Sequence, residues 1–171
     1  MDIQQHWQTI CEVVNRALEK NSFCSVATVD PDGSPRLSPI GSLILGEKGK
    51  AVFFEQFLKN TRRNLERDQR ICVLAVTGGF LYMLKALFKG RFDRPPGVRL
   101  MGRAGARRIA TDEEMRTWQA RIKPYRRFKG YNLLWKDTRY VREVTFEKFE
   151  PLRLGAMSQG LWGEGERQSY T

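Results

Sequence analysis

Apolar residues recur at helical spacing at the start of the chain, with Ile3, Trp7, Ile10, Val13, Val14 and Leu18 on one face and polar residues opposite. This predicts an amphipathic helix over 3–19, closed by Asn21. From Phe23 the period changes to two: FCSVATVD and PRLSPIGSLIL flank the turn DPDGS, which predicts a β-hairpin. A second turn signal, GEKG, precedes AVFFEQF, a third strand rich in β-forming residues, so the expected meander is antiparallel. TRRNLERD then reads as a short helix with Leu65 inward, before a fourth strand, RICVLAVT.

The next segment, 79–89, is an apolar helix followed by a loop, GRFDRPPG, where consecutive prolines stop it. VRLMGRAGARRIA is a strand whose spaced glycines suggest a bend or bulge. Thr111 stands three residues before Glu114, the spacing of a capping box, and opens a helix running from Asp112 towards Ile122. RYVREVTFEKFEPLRL supplies one or two last strands, and a Gly-rich polar arm is expected over 158–171. About six strands with short helices between them do not follow strict βαβ alternation. They predict one domain over 1–171, mainly β with flanking helices, built on a six-stranded antiparallel barrel with a helical insertion at 79–97.

The length of 171 residues suits one domain. The N-terminal segment carries Asp2 and Glu12 where a secretory leader would be cationic and then apolar. No apolar run is long enough to span a bilayer, since GGFLYMLKALF is interrupted by Lys85. A cytoplasmic protein without membrane partners is the expectation. Cys11, Cys24 and Cys72 are far apart in apolar contexts and His6 is the sole histidine, so the residues do not make a zinc site and the cysteines read as buried free thiols.

The net charge of +11 draws attention to polyanions. The basic residues are nevertheless dispersed, with no zinc-finger, homeodomain or RNP pattern, so nucleic acid is not the expected partner and an anionic small ligand accounts for the charge more simply. A lone histidine on a terminal helix provides no Ser-His-Asp set. Asp30 and Asp32 are turn residues, and Glu113 and Glu114 open a helix, so paired-carboxylate chemistry lacks support. No catalytic acid or base is assigned. The segment Lys59-Asn60-Thr61-Arg62-Arg63-Asn64 remains, placed after a strand and opening a helix. It gathers backbone N–H groups, a positive helix end, a hydroxyl and cations suited to phosphate. Read alone it is somewhat more readily a solvated basic face.

Taken in order, VATVDPDGSPRLSPIGS, AVFFEQF and KNTRRNLERDQRICVLAV resemble the FMN-binding split-barrel proteins related to pyridoxamine 5′-phosphate oxidase, over about the first half of the chain. VRLMGRAGARRIATDEEM is similar to that family's next strand and helix. The resemblance implies a six-stranded split barrel, bound FMN and a homodimer with the flavin between subunits. It implies that Arg36, Leu37, Ser38, Pro39 and Ile40 line the isoalloxazine edge, and that Phe53, Phe54 and Glu55 flank the ring and ribityl chain. Lys59, Asn60 and Thr61 would then take the phosphate with help from Arg63 or Asn64, and Trp135 and Trp162 are candidate walls of the flavin site. The assignment within 59–64 is open by a residue or two.

The oxidase that makes pyridoxal phosphate uses a carboxy-terminal Arg-x-His pair. This chain ends LWGEGERQSYT, so oxidation of pyridoxamine phosphate is not expected. The implied activity is an oxidoreductase passing electrons or hydride between FMN and a small substrate or NAD(P)H. Alternatives are the same fold holding F420 or haem, a non-catalytic flavin-binding or sensor protein, and, most distantly, a basic nucleic-acid-binding barrel.

Overall fold

The structure is a computed structural model and describes residues 1–163. The periodic N-terminal segment forms α1 (Ile3–Asn21), started by the Asp2 carboxylate accepting from the Gln4 N–H and ended by Ser22 in the left-handed region. Its apolar face, from Ile3 to Leu18, is buried in the main core.

Among the described residues seven strands make one antiparallel sheet: β1 (Cys24–Val29), β2 (Pro35–Ile40), β3 (Ile44–Leu45), β4 (Lys50–Phe54), β5 (Arg70–Val76), β6 (Gly97–Ile109) and β7 (Tyr140–Pro151). They run in the order β2-β1-β5-β6-β7-β4-β3. The expected count of six is corrected to seven. PRLSPIGSLIL does not continue as one strand: it breaks at Gly41–Leu43, and β3 leaves β2 to pair with β4 at the far end of the sheet. The expected meander therefore holds as two separate hairpins, β1–β2 across DPDGS and β3–β4 across GEKG, and β4 joins the rest of the sheet through β7. The break has a visible cause. Arg121 donates to the carbonyls of Gly41 (3.1 Å) and Leu43 (2.8 Å), and Ser42 Oγ both accepts from Phe54 N–H (3.1 Å) and donates to Phe54 O (3.3 Å). Backbone groups that a continuous ladder would use are satisfied by side chains instead.

Among the described residues four further α-helices sit between strands: α2 (Lys59–Arg67), α3 (Phe80–Lys89), α4 (Asp112–Ile122) and the short α5 (Gly130–Trp135), the last not foreseen from the sequence. The long pair β6–β7 changes register at Met101/Gly102 and Ala104/Arg107, the bend its glycines suggested. The capping box forms as spaced: Thr111 Oγ1 accepts from Glu114 N–H at 3.2 Å, and Thr111 N–H donates to Glu114 Oε2 at 2.8 Å.

A large core lies between α1 and the sheet, and a smaller one joins Phe54 and Val141 to Trp118 and Ile122 of α4. Residues of the arm expected over 158–171 from 164 onward lie outside the described residues. Ser158 and Trp162 are buried, and Trp162 belongs to the main core. Among the described residues the cysteines form no disulfide; Cys24 is buried, and Cys11 and Cys72 are half-buried. No helix among these residues is long and apolar enough to cross a membrane.

Candidate functional site

α2 follows β4 through a tight passage in which exposed Phe57 takes a left-handed backbone conformation, φ +62°. A non-glycine residue held there stores about 1–3 kcal/mol of strain, a cost that clusters at ligand sites and switches. The first helical bond of α2 is Arg62 N–H to Leu58 O, so the N–H groups of Lys59, Asn60 and Thr61 have no partner within the helix.

The basic segment divides by role. Asn64 is buried and donates to Thr28 Oγ1 (3.1 Å) and Asp30 Oδ1 (2.6 Å), while Arg36 pairs with the other Asp30 oxygen at 2.7 Å. Arg67 donates to the carbonyls of Val29 and Asp30. Asp30 is thus the hub that fastens α2 to the β1–β2 hairpin, and the Arg36 guanidinium, then Asn64, hold its carboxyl below the usual range. Arg36 and Asn64 are structural ties in this arrangement. Thr61 is also buried, its hydroxyl 3.0 Å from Ser38 Oγ, whereas Lys59, Asn60 and Arg63 are exposed at the helix start.

Beside this helix start opens a cavity of about 790 Å³. Its wall runs from Pro39 to Ser42 and from Gln56 to Leu58, one residue before Lys59. Aromatic rings form a second wall: Phe54 stacks on Trp118 with centroids 5.5 Å apart, Trp118 meets Trp135 edge-on at 6.4 Å, and Tyr125 lies 5.7 Å from Trp135. Burial depresses the Arg121 guanidinium, which sits in this wall fixed to the Gly41 and Leu43 carbonyls. The Trp118 Nε1–H has no acceptor among the described residues.

Of the residues named from the sequence, Pro39, Ile40, Phe54 and Trp135 line the cavity. Other candidates stand elsewhere. Phe53 is fully buried in the main core, Leu37 points from an edge strand into solvent, and Trp162 packs against Phe149 at 5.3 Å. The Glu55 carboxylate is buried and ion-paired with Arg142 and with Arg107, the latter at 3.1 Å. Sequence reasoning missed Ser42, Trp118, Arg121 and Tyr125. Trp118 could have been found from its apolar position in α4; nothing marks Arg121 among so many arginines. His6 lies 5.3 Å from the Phe149 ring and 6.3 Å from the Trp162 ring, and is not in the cavity wall. No group of three or more metal-ligating side chains occurs among the described residues.

A family model for pyridoxamine 5′-phosphate oxidase matches residues 10–151. The chain belongs to this family. As a member of the pyridoxamine 5′-phosphate oxidase family it shares its fold with solved structures at low sequence identity. It is similar to an FMN-binding protein from Syntrophomonas wolfei (12% identity, 88% of this chain and 90% of that one, TM-score 0.61). It is also similar to HupZ of Group A Streptococcus (20% identity, 85% and 92%, TM-score 0.54) and to an F420 reductase (16% identity, 78% and 93%, TM-score 0.52). No curated protein matches the chain.

Proposed function

We propose that this family member is an FMN-binding flavoprotein acting as an oxidoreductase on a small substrate or NAD(P)H, and not a pyridoxamine phosphate oxidase. The observation that carries this reading is the continuity of the aromatic cavity with the start of α2. A volume of about 790 Å³ falls in the range of small-molecule sites. Apolar rings with a few polar groups suit a planar heteroaromatic ring, and the free N–H groups of Lys59–Thr61 with the Lys59 and Arg63 cations suit a phosphate.

In this reading Pro39, Ile40, Phe54 and Trp135 enclose the ring, and Lys59, Asn60, Thr61 and Arg63 take the phosphate. Ser38 orients the Thr61 hydroxyl, while Arg36 and Asn64 keep α2 seated on the hairpin. Leu37 and Phe53 contribute through the strands that carry them, and Glu55 through its ion pairs with Arg142 and Arg107 just past the end of β4. FMN, when bound, supplies the hydride or electron transfer; the chain supplies binding, orientation and shielding from water. The FMN-binding neighbour from Syntrophomonas wolfei supports FMN, and the F420 reductase marks F420 as the competing cofactor. Haem held by histidine is disfavoured, because His6 packs on Phe149 and Trp162 away from the cavity.

Titration of the purified protein with FMN is expected to show saturable binding with the visible absorption of oxidised flavin. Lys59→Ala combined with Thr61→Ala should weaken it at least about tenfold, since charged phosphate donors are worth over ~1 kcal/mol. Bleaching by NADH or NADPH without oxygen separates an enzyme from a passive binder. No FMN binding, with saturable F420 binding in its place, overturns the cofactor; unchanged affinity in the double variant moves the phosphate site.

A further inference from the structure

α3 is seated on the protein by a narrow edge. Tyr82 stacks on buried Phe92 with centroids 5.5 Å apart and donates to the Arg94 carbonyl at 3.2 Å, and Ala86 is the one residue of the helix that is buried. The loop beneath is held firmly. Arg16 of α1 donates to Pro95 O at 2.7 Å and to Thr77 Oγ1 at 3.2 Å, and Phe92 N–H donates to Met157 O at 2.9 Å.

At 100° per residue, Phe80, Met83, Leu84, Leu87, Phe88 and Leu81 share one broad arc, opposite Tyr82 and Ala86. The apolar side of this helix thus faces away from the core, with Phe80 and Leu81 each 78% exposed and Phe88 85%. Such a contiguous apolar surface on a fixed element marks an interaction site.

The charge around it selects the occupant. Between residues 78 and 98 stand Lys85, Lys89, Arg91 and Arg94 against one acid, Asp93. Asp93 is shared by Lys85 (3.1 Å) and Lys89 (2.9 Å), and Arg91 and Arg94 are exposed. Two copies meeting through this face would bring like charges together on molecules that each carry +11. An anionic bilayer surface attracts the same cations while its acyl boundary accepts the apolar arc. Ten residues give a helix of about 15 Å, half of the ~30 Å hydrocarbon thickness, so it suits the interface and not a span. We propose that α3 docks this protein on anionic phospholipid membranes, lying in the interface with its apolar arc inserted and its basic flank on the headgroups.

The test is co-sedimentation of the full chain with vesicles of phosphatidylcholine alone, or with roughly 30% phosphatidylglycerol. Binding to the anionic vesicles is expected, at least about tenfold stronger than to the neutral ones. Leu81→Ser with Phe88→Ser keeps the charge and alters exposed positions; it should lower anionic binding at least about tenfold. Ile109→Ser, at an apolar residue on β6 that is 66% exposed, should leave it unchanged. Failure of the native chain to bind anionic vesicles overturns the proposal. So does a double variant that binds as well as the native chain, which means adsorption by net charge alone. A lipid-free double variant sedimenting at lower mass than the native chain shows instead that a second copy covers the face, and overturns it too.

Discussion

A Cβ built on Gly102 would lie 2.0 Å from the Thr145 carbonyl oxygen and 2.7 Å from the Phe146 Cα, both main-chain atoms of β7. Backbone cannot rotate out of the way as a side chain can. Gly102 also marks the first register shift between β6 and β7, so the missing side chain is what lets the two strands cross closely there. Gly102→Ala is expected to destabilise the protein by about 1–3 kcal/mol through overpacking, read as a lower urea midpoint. Gly105 has the Glu143 side chain and carbonyl nearest, none closer than 3.4 Å, and should tolerate alanine better. An equal loss at both positions would place the constraint in the bulge as a whole and not in the contact.

α4 shows how a few side chains fix an element and its pH response. Glu114 closes the capping box and also takes Arg108, whose two terminal nitrogens lie 2.8 and 2.7 Å from its oxygens. The Arg108 guanidinium holds the Glu114 carboxyl below its ordinary value of 4.5. A depressed carboxylate favours the folded state fully above the ordinary value, and the benefit is lost as pH falls through the lower folded value. Glu114→Gln should therefore be less stable than the native chain near neutrality, with the gap closing in acid. Thr111→Ala, which removes the uncharged half of the box, should cost about 1 kcal/mol at both pH values. A gap for Glu114→Gln that is the same in acid would mean the carboxylate contributes only shape.

This element was legible because cap and register are local: Thr111, Glu114 and the apolar positions of α4 lie within one helix. β3 and α5 were not. The break in PRLSPIGSLIL depends on Arg121, eighty residues away from Gly41 in sequence, reaching those carbonyls. α3 was readable as a helix, yet not as one whose apolar side faces solvent, since periodicity gives a face and says nothing of what lies against it. The site divides likewise. Pro39, Ile40, Phe54 and Trp135 come together in the cavity, whereas Arg36 and Asn64 are drawn into the Asp30 hub by partners that no local pattern announces.

At the scale of the molecule the net charge of +11 acts on every association at once, and salt separates them. The cavity mouth carries exposed Phe57 and Leu134, and the nearby edge strand β2 carries exposed Leu37. We expect a second copy to cover this face, giving a homodimer in which the partner shields the proposed flavin site. Burial of those apolar side chains favours pairing, while repulsion between two cationic subunits opposes it over a screening length of about 10 Å at 0.1 M salt. Raising salt weakens the repulsion and leaves apolar burial intact, so self-association should tighten from low to moderate ionic strength. The proposed phosphate binding at Lys59 and Arg63, and the proposed docking of α3 on anionic vesicles, rest on attraction and should weaken over the same range. Sedimentation at micromolar concentration across a salt series is the measurement, with Phe57→Ser and Leu134→Ser expected to shift the native chain towards monomer. A monomer at every salt concentration, or a dimer untouched by those two substitutions, would leave the cavity mouth open to solvent and place any pairing on another face.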